Sequence, residues 1–245
     1  MTTKDHSLAT ASFVTAAEHD GLFELPEADR VTPKPAAPKA PVRQGQNKII
    51  PAFGRDAGFR PVPDAVAASA SAAHWPGIVL PQLTLAGHRV YPMVAPNAAV
   101  WRKRLAAGQE PELDLSTLAY WESWTEDLGP MPPDSALTIV GFLSDARPGH
   151  ALCAIDYLGG LGAGIVVNKA RRYPSRNLIW ECDFTGAFLV WAPPDRPATL
   201  VVSGRTGPVH TARRTPVTRG YEEKLFAWAL HTNARPPHPG PGNHS

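Results

Sequence analysis

The sequence predicts an α+β domain: a mainly antiparallel sheet of short strands, flanked by two N-terminal helices and one C-terminal helix and preceded by a long disordered tail. Three observations predict it. The leading segment runs through Pro33, Pro35, Pro38 and Pro41 and then an Ala/Ser stretch at 65–73, with no sustained apolar period. Such a segment cannot bury enough surface to offset the entropy of ordering it. After Pro133 the texture becomes short β-rich runs separated by Gly and Pro, the pattern of strands joined by tight turns. Before and after those runs, apolar residues recur at helical spacing behind capping residues. The 245 residues therefore divide into a tail over 1–77, one globular domain over 78–232 and a Pro/Gly-rich tail over 233–245.

Within the first tail, two clusters have the size of docking peptides. Leu22, Phe23 and Leu25 stand beside Glu24, and Ile49, Ile50 and Phe53 precede Arg55. An acidic and hydrophobic cluster of the first kind suits one turn of helix folding into a partner's groove. Pro33 to Pro41 forms an extended spacer.

The domain opens near Ile78 with a passage reaching Val90 and Tyr91, and Pro81 and Pro92 suit an edge position. Asn97 caps a short helix carrying Val100, Trp101 and Leu105, ended by Gly108. A second helix starts at Asp114 or Ser116, carries Leu118, Trp121, Thr125 and Leu128, and stops at Gly129 and Pro130. Trp121 and Trp124 cannot share its core stripe, so one is available as a contact residue. Strands follow at 137–143, 151–157, 164–167, 178–184, 187–191, 199–203 and 209–213, with Thr185 and Gly186 as the tightest hairpin. The last helix takes Thr218 as cap, Glu222 and Glu223 in its first turn, and Tyr221, Leu225 and Trp228 as its stripe.

Motif chemistry excludes more than it offers. Gly159, Gly160, Gly162 and Gly164 miss the dinucleotide fingerprint, since the sixth position from Gly160 is Ile165 and β-formers follow. They read as a hairpin turn. No phosphate-binding P-loop occurs, the nine histidines show no ligand spacing, and neither a metal nor a small-molecule cofactor is expected. No apolar run has signal-peptide or membrane-spanning length, so the chain is expected in the cytoplasm, with no membrane partner and with Cys153 and Cys182 reduced.

His150 opens a strand-like run and Asn168 ends the next one. This texture resembles the His and Asn pair of papain-like cysteine hydrolases, which implies an imidazole held to take a thiol proton. The implied nucleophile is Cys182 or Cys153. That family places its cysteine upstream on a helix, and no Cys precedes Cys153 here.

Charge carries the strongest signal. Residues 110–134 hold seven acidic residues and no Lys or Arg, a net of −7. Residues 165–220 hold nine basic against three acidic residues, a net of +6. Arg171, Arg172 and Arg176 share one turn with Tyr173, and Arg213 and Arg214 lie further on. An aromatic among arginines suits a phosphate backbone and a base. The first expectation is a non-catalytic cytoplasmic adaptor binding a protein partner through its arm and charged surface. The alternatives are a nucleic-acid-associated protein using the Arg-rich end of the sheet, and a cysteine hydrolase using His150.

Overall fold

The computed structural model describes residues 61–236. The clusters around Phe23 and Phe53 lie outside the described residues, as does 237–245. The elements in chain order are α1 (Asp64–Ala72), β1 (Ile78–Val79), β2 (Leu83–Leu85), β3 (His88–Pro96), α2 (Ala98–Ala106), α3 (Leu115–Glu122), a 3-10 turn (Glu126–Leu128), β4 (Leu137–Ser144), α4 (Pro148–Leu158), β5 (Ala163–Asn168), α5 (Arg176–Thr185), β6 (Phe188–Trp191), β7 (Thr199–Val202) and α6 (Pro216–His231).

Helices and one seven-stranded sheet make the domain α+β at the coarse level, with strand order β1-β3-β4-β5-β6-β7 and β2 paired to β3. The sheet is mixed. β3 is antiparallel to β1, β2 and β4, and β7 to β6, whereas β4, β5 and β6 run parallel. Parallel neighbours need a crossover, and α4 and α5 supply it from the segments that sequence suggested as strands at 151–157 and 178–184.

The reason lies in spacing and caps. α4 buries Ala151, Ala154, Ile155 and Leu158, the i, i+3, i+4, i+7 stripe of a helix, and begins with Pro148. In α5 the Ser175 hydroxyl accepts from the Leu178 amide at 3.3 Å, and Gly186 closes the helix at φ 67°. A left-handed residue there ends a helix without steric cost; Thr185 and Gly186 are therefore a helix terminus and not a hairpin. The glycine cluster is likewise the α4–β5 connection. A Cβ on Gly164 would overlap Ile155, so the bare strand lets α4 lie close. No strand forms at 209–213, and β3 is interior despite Pro92, with β4 on one side and β1 with β2 paired to successive stretches of it.

Alternation along the strands divides the core. Phe142, Val166 and Leu189 face α4, α5 and α6, while Met93, Leu143, Ile165, Phe188 and Val190 face α1. The Ala/Ser stretch read as tail forms α1, burying Val66, Ser69 and Ala70. The fold thus opens before Ile78. Trp75 follows α1 and lies over Gly141, where a Cβ would stand 2.6 Å from its ring, and meets Phe188 edge-on at 5.5 Å.

Asn97 and Asp114 cap α2 and α3 as the sequence indicates. The Ser116 and Thr117 hydroxyls hold the Asp114 carboxyl down to about 2. α3 stops at Glu122, leaving Leu128 exposed. α6 starts earlier than expected: Thr215 caps it and exchanges hydrogen bonds with Thr218. Glu222 and Glu223 consequently fall beyond the first turn and are buried. Glu223 accepts from Arg104 at 2.7 and 2.8 Å, from Arg219 at 3.2 Å and from the Glu112 amide at 3.1 Å. Arg104 also stands over Phe226 at 4.7 Å. One carboxylate thus ties α2, the segment before α3 and α6 together.

Removing it leaves two guanidinium groups without their counter-charge in the interior. Glu223→Ala should lower the unfolding free energy in urea by about 3–5 kcal/mol, whereas Lys169→Ala, at an exposed ion pair, should change it by under about 1 kcal/mol. Equal losses in the two variants would contradict this assignment.

Candidate functional site

Three parallel strands end at one edge, at Ser144, Asn168 and Trp191. In open sheets of this kind ligands bind beyond the carboxyl ends of the strands, because connecting loops diverge there and helix N-termini point the same way. The β5–α5 turn is pinned at three places. Lys169 pairs with Asp145 at 2.7 Å, the Asn168 carboxamide oxygen accepts from the Ala170 amide at 2.9 Å, and the Trp191 indole donates to the Ala170 carbonyl at 2.7 Å.

On this frame the turn presents charge and aromatic surface together. Tyr173, 58% exposed, meets Trp191 edge-on at 5.3 Å, and the Arg196 guanidinium stands 5.8 Å from the same indole. Arg171, Arg172 and Arg176 are exposed, and none has an ion pair among the described residues. Beside them a cleft of about 440 Å³ opens between the start of α1 and the β6–β7 loop, lined by Asp64, Ala68, Lys169, Pro193, Arg196 and Ala198. Trp191 and Arg196 escaped sequence reasoning. The signal was a Trp closing a short strand before the Pro-rich run 193–197, but only the parallel pairing brings it to Tyr173.

The other basic residues lie elsewhere. Arg213 and Arg214 line a smaller cleft of about 180 Å³ with Thr138, Ile139, Gly160 and Leu161, at the amino ends of β4 and β5. Arg214 pairs with Glu222 at 2.8 Å and with Glu122 at 3.4 Å, and the Glu222 carboxylate raises its guanidinium further above its ordinary range. Arg219 donates to the Pro133 carbonyl at 2.6 Å. The acidic and basic stretches therefore meet at this end, while the opposite end keeps its arginines unpaired. Trp121 and Trp124 are both half-buried: Arg219 stands 5.9 Å from the Trp121 ring, and Trp124 packs edge-on against Tyr120 and donates to the Gly129 carbonyl.

The thiol chemistry finds little support. His150 lies in the first turn of α4, not at a strand start, and Asn168 spends its oxygen on its own turn. Cys182 is buried in α5, and that burial, with Glu181 beside it, pushes its thiol up to about 12. A nucleophile at neutral pH needs the opposite shift. Among the described residues no group of three or more His, Cys, Asp or Glu is placed to hold a metal ion, and no helix is long and apolar enough to cross a membrane.

Iodoacetamide at neutral pH, followed by peptide mass spectrometry, should label the exposed Cys153 and leave Cys182 unmodified until denaturant is added. Labelling of Cys182 as fast as Cys153 in the folded chain would contradict its burial. No protein-family model, curated protein or solved structure matches this chain.

Proposed function

We propose that the chain is a nucleic-acid-associated binding module that holds single-stranded nucleic acid along the carboxyl edge of β4, β5 and β6. The observation that carries this reading is the set of unpaired Arg171, Arg172 and Arg176 around exposed Tyr173, on a turn fastened to Trp191. Exposed guanidinium groups without partners release counterions when they meet phosphates. An aromatic face offers a base a stacking platform that any sequence can use. The adjacent cleft gives an unstacked base somewhere to enter.

A second reading, a non-catalytic adaptor for a protein partner, draws support from α5. Trp180 and Phe184 stack there at 5.4 Å, with 65% and 79% of their surface exposed. Large exposed aromatics of this kind are enriched at protein contacts.

Fluorescence anisotropy with the full chain and a labelled single-stranded oligonucleotide separates the two. Binding should weaken steeply as salt rises, and Arg171→Ala with Arg172→Ala should flatten the log–log salt slope by about one to two units. Tyr173→Ala should cost about 1–3 kcal/mol, and Arg213→Ala, at the other end, should leave affinity unchanged. Absence of binding at low salt, or an equal loss from Arg213→Ala, would overturn the reading.

A further inference from the structure

The α4 N-terminus reaches the same edge and is built differently from that of α5. Its cap residue, Arg147, makes no side-chain capping bond, and Pro148 occupies the first position without an amide hydrogen. The next amides, Gly149 and His150, have no intrahelical acceptor, as at any helix start. Both residues are exposed, and nothing lies within 4 Å of where a Gly149 Cβ would be.

A second observation is independent of the helix. Ser144, the last residue of β4, is 1% exposed, and its hydroxyl has no hydrogen-bond partner. Phe142 packs with Ala154 and Leu158 of α4, so Ser144, two residues on, points to the same side of the strand, at the level of the helix's first turn. Only the short turn Asp145, Ala146 and Arg147 separates it in sequence from the uncapped amides. A buried hydroxyl without a partner is costly unless something completes it. Asp145 would repel an anion, but Lys169 neutralises it at 2.7 Å.

We propose that the β4–α4 turn is a phosphate-monoester site, in which a dianionic terminal phosphate accepts from the Gly149 and His150 amides and the Ser144 hydroxyl, with Arg147 as counter-charge. It deepens the reading of this edge as a nucleic-acid surface: Arg171, Arg172 and Arg176 follow the internal phosphates, and the α4 turn takes the phosphorylated end. A helix N-terminus favours the doubly charged terminal group over a diester because amide dipoles and a guanidinium act on more charge. The same chemistry would accept a free mononucleotide, so the experiment must separate the two sources.

Amide chemical shifts of the full chain are followed during titration with inorganic phosphate and with a mononucleotide, and anisotropy is measured with oligonucleotides carrying a 5′-phosphate, a 3′-phosphate or hydroxyls at both ends. Phosphate should move the Gly149 and His150 amides, and Ser144→Ala should weaken its binding about tenfold. A phosphorylated oligonucleotide that binds more tightly than the hydroxyl form, with the gain lost in Ser144→Ala, assigns the strand end. Mononucleotide binding with no gain from phosphorylating the oligonucleotide assigns a free monoester. Unmoved amides, or equal phosphate affinity in wild type and Ser144→Ala, would overturn the site. Phosphate binding that persists when no oligonucleotide binds would sink the nucleic-acid reading and leave this site standing.

Discussion

Parallel pairing of β4, β5 and β6 is the constraint on which the rest of the molecule depends. Two strands can run parallel only if the chain returns along the sheet, and α4 and α5 make those returns. The β4–α4 and β5–α5 turns then fall on one edge of the sheet, and the α4–β5 and α5–β6 turns on the other. The two ends acquire different chemistry for that reason. The carboxyl edge receives Ser144, Arg147, Asn168, the arginine turn and Trp191, whereas the amino edge receives the glycine connection and the segment bearing Arg213 and Arg214.

The pairing is itself held by close approach on both faces. Gly164 has no side chain, so Ile155 of α4 sits against bare strand, and Gly141 has none, so Trp75 and the Ala163 carbonyl crowd its other side. Packing at interior density tolerates few added atoms in such places. At the flank of the sheet a different interaction organises α2, α3 and α6. The Glu223 carboxylate gathers Arg104 and Arg219 in the interior, and Trp228 of the same helix donates to the Pro81 carbonyl at 2.9 Å. Charge is thus paired inside the flank and, through Arg214, at the amino edge, whereas Arg171, Arg172 and Arg176 at the carboxyl edge have no ion pair among the described residues.

Much of this was legible before the structure. The strands at 137–143, 164–167, 187–191 and 199–203 correspond to β4, β5, β6 and β7, and Asn97 and Asp114 cap the helices they suggested. Charge and composition alone single out Arg171, Arg172, Tyr173 and Arg176, and these residues are exposed between the end of β5 and the start of α5. What failed was the choice of period. Ala151, Leu152, Cys153, Ala154 and Ile155 form a short apolar run that suits a strand as well as a helix, and the decisive signs lay outside it, in Pro148 before and Leu158 after. For α5 the signs were Ser175 and Gly186, ten helical residues apart. Reading those segments as strands hid the crossovers, and with them the edge that brings Trp191 and Arg196 to Tyr173. The buried role of Glu223 was hidden too, since its partner Arg104 stands 119 residues away in the chain.

We propose that the carboxyl edge of the parallel strands, and not the acidic and basic junction at the other end, meets a single strand of nucleic acid. Ultraviolet crosslinking of a single-stranded oligonucleotide to the full chain, with the modified residues located by mass spectrometry, tests it most directly. Adducts should form at Tyr173 and Trp191. Adducts confined to Trp121 and Trp124, or none at any aromatic residue, would contradict it.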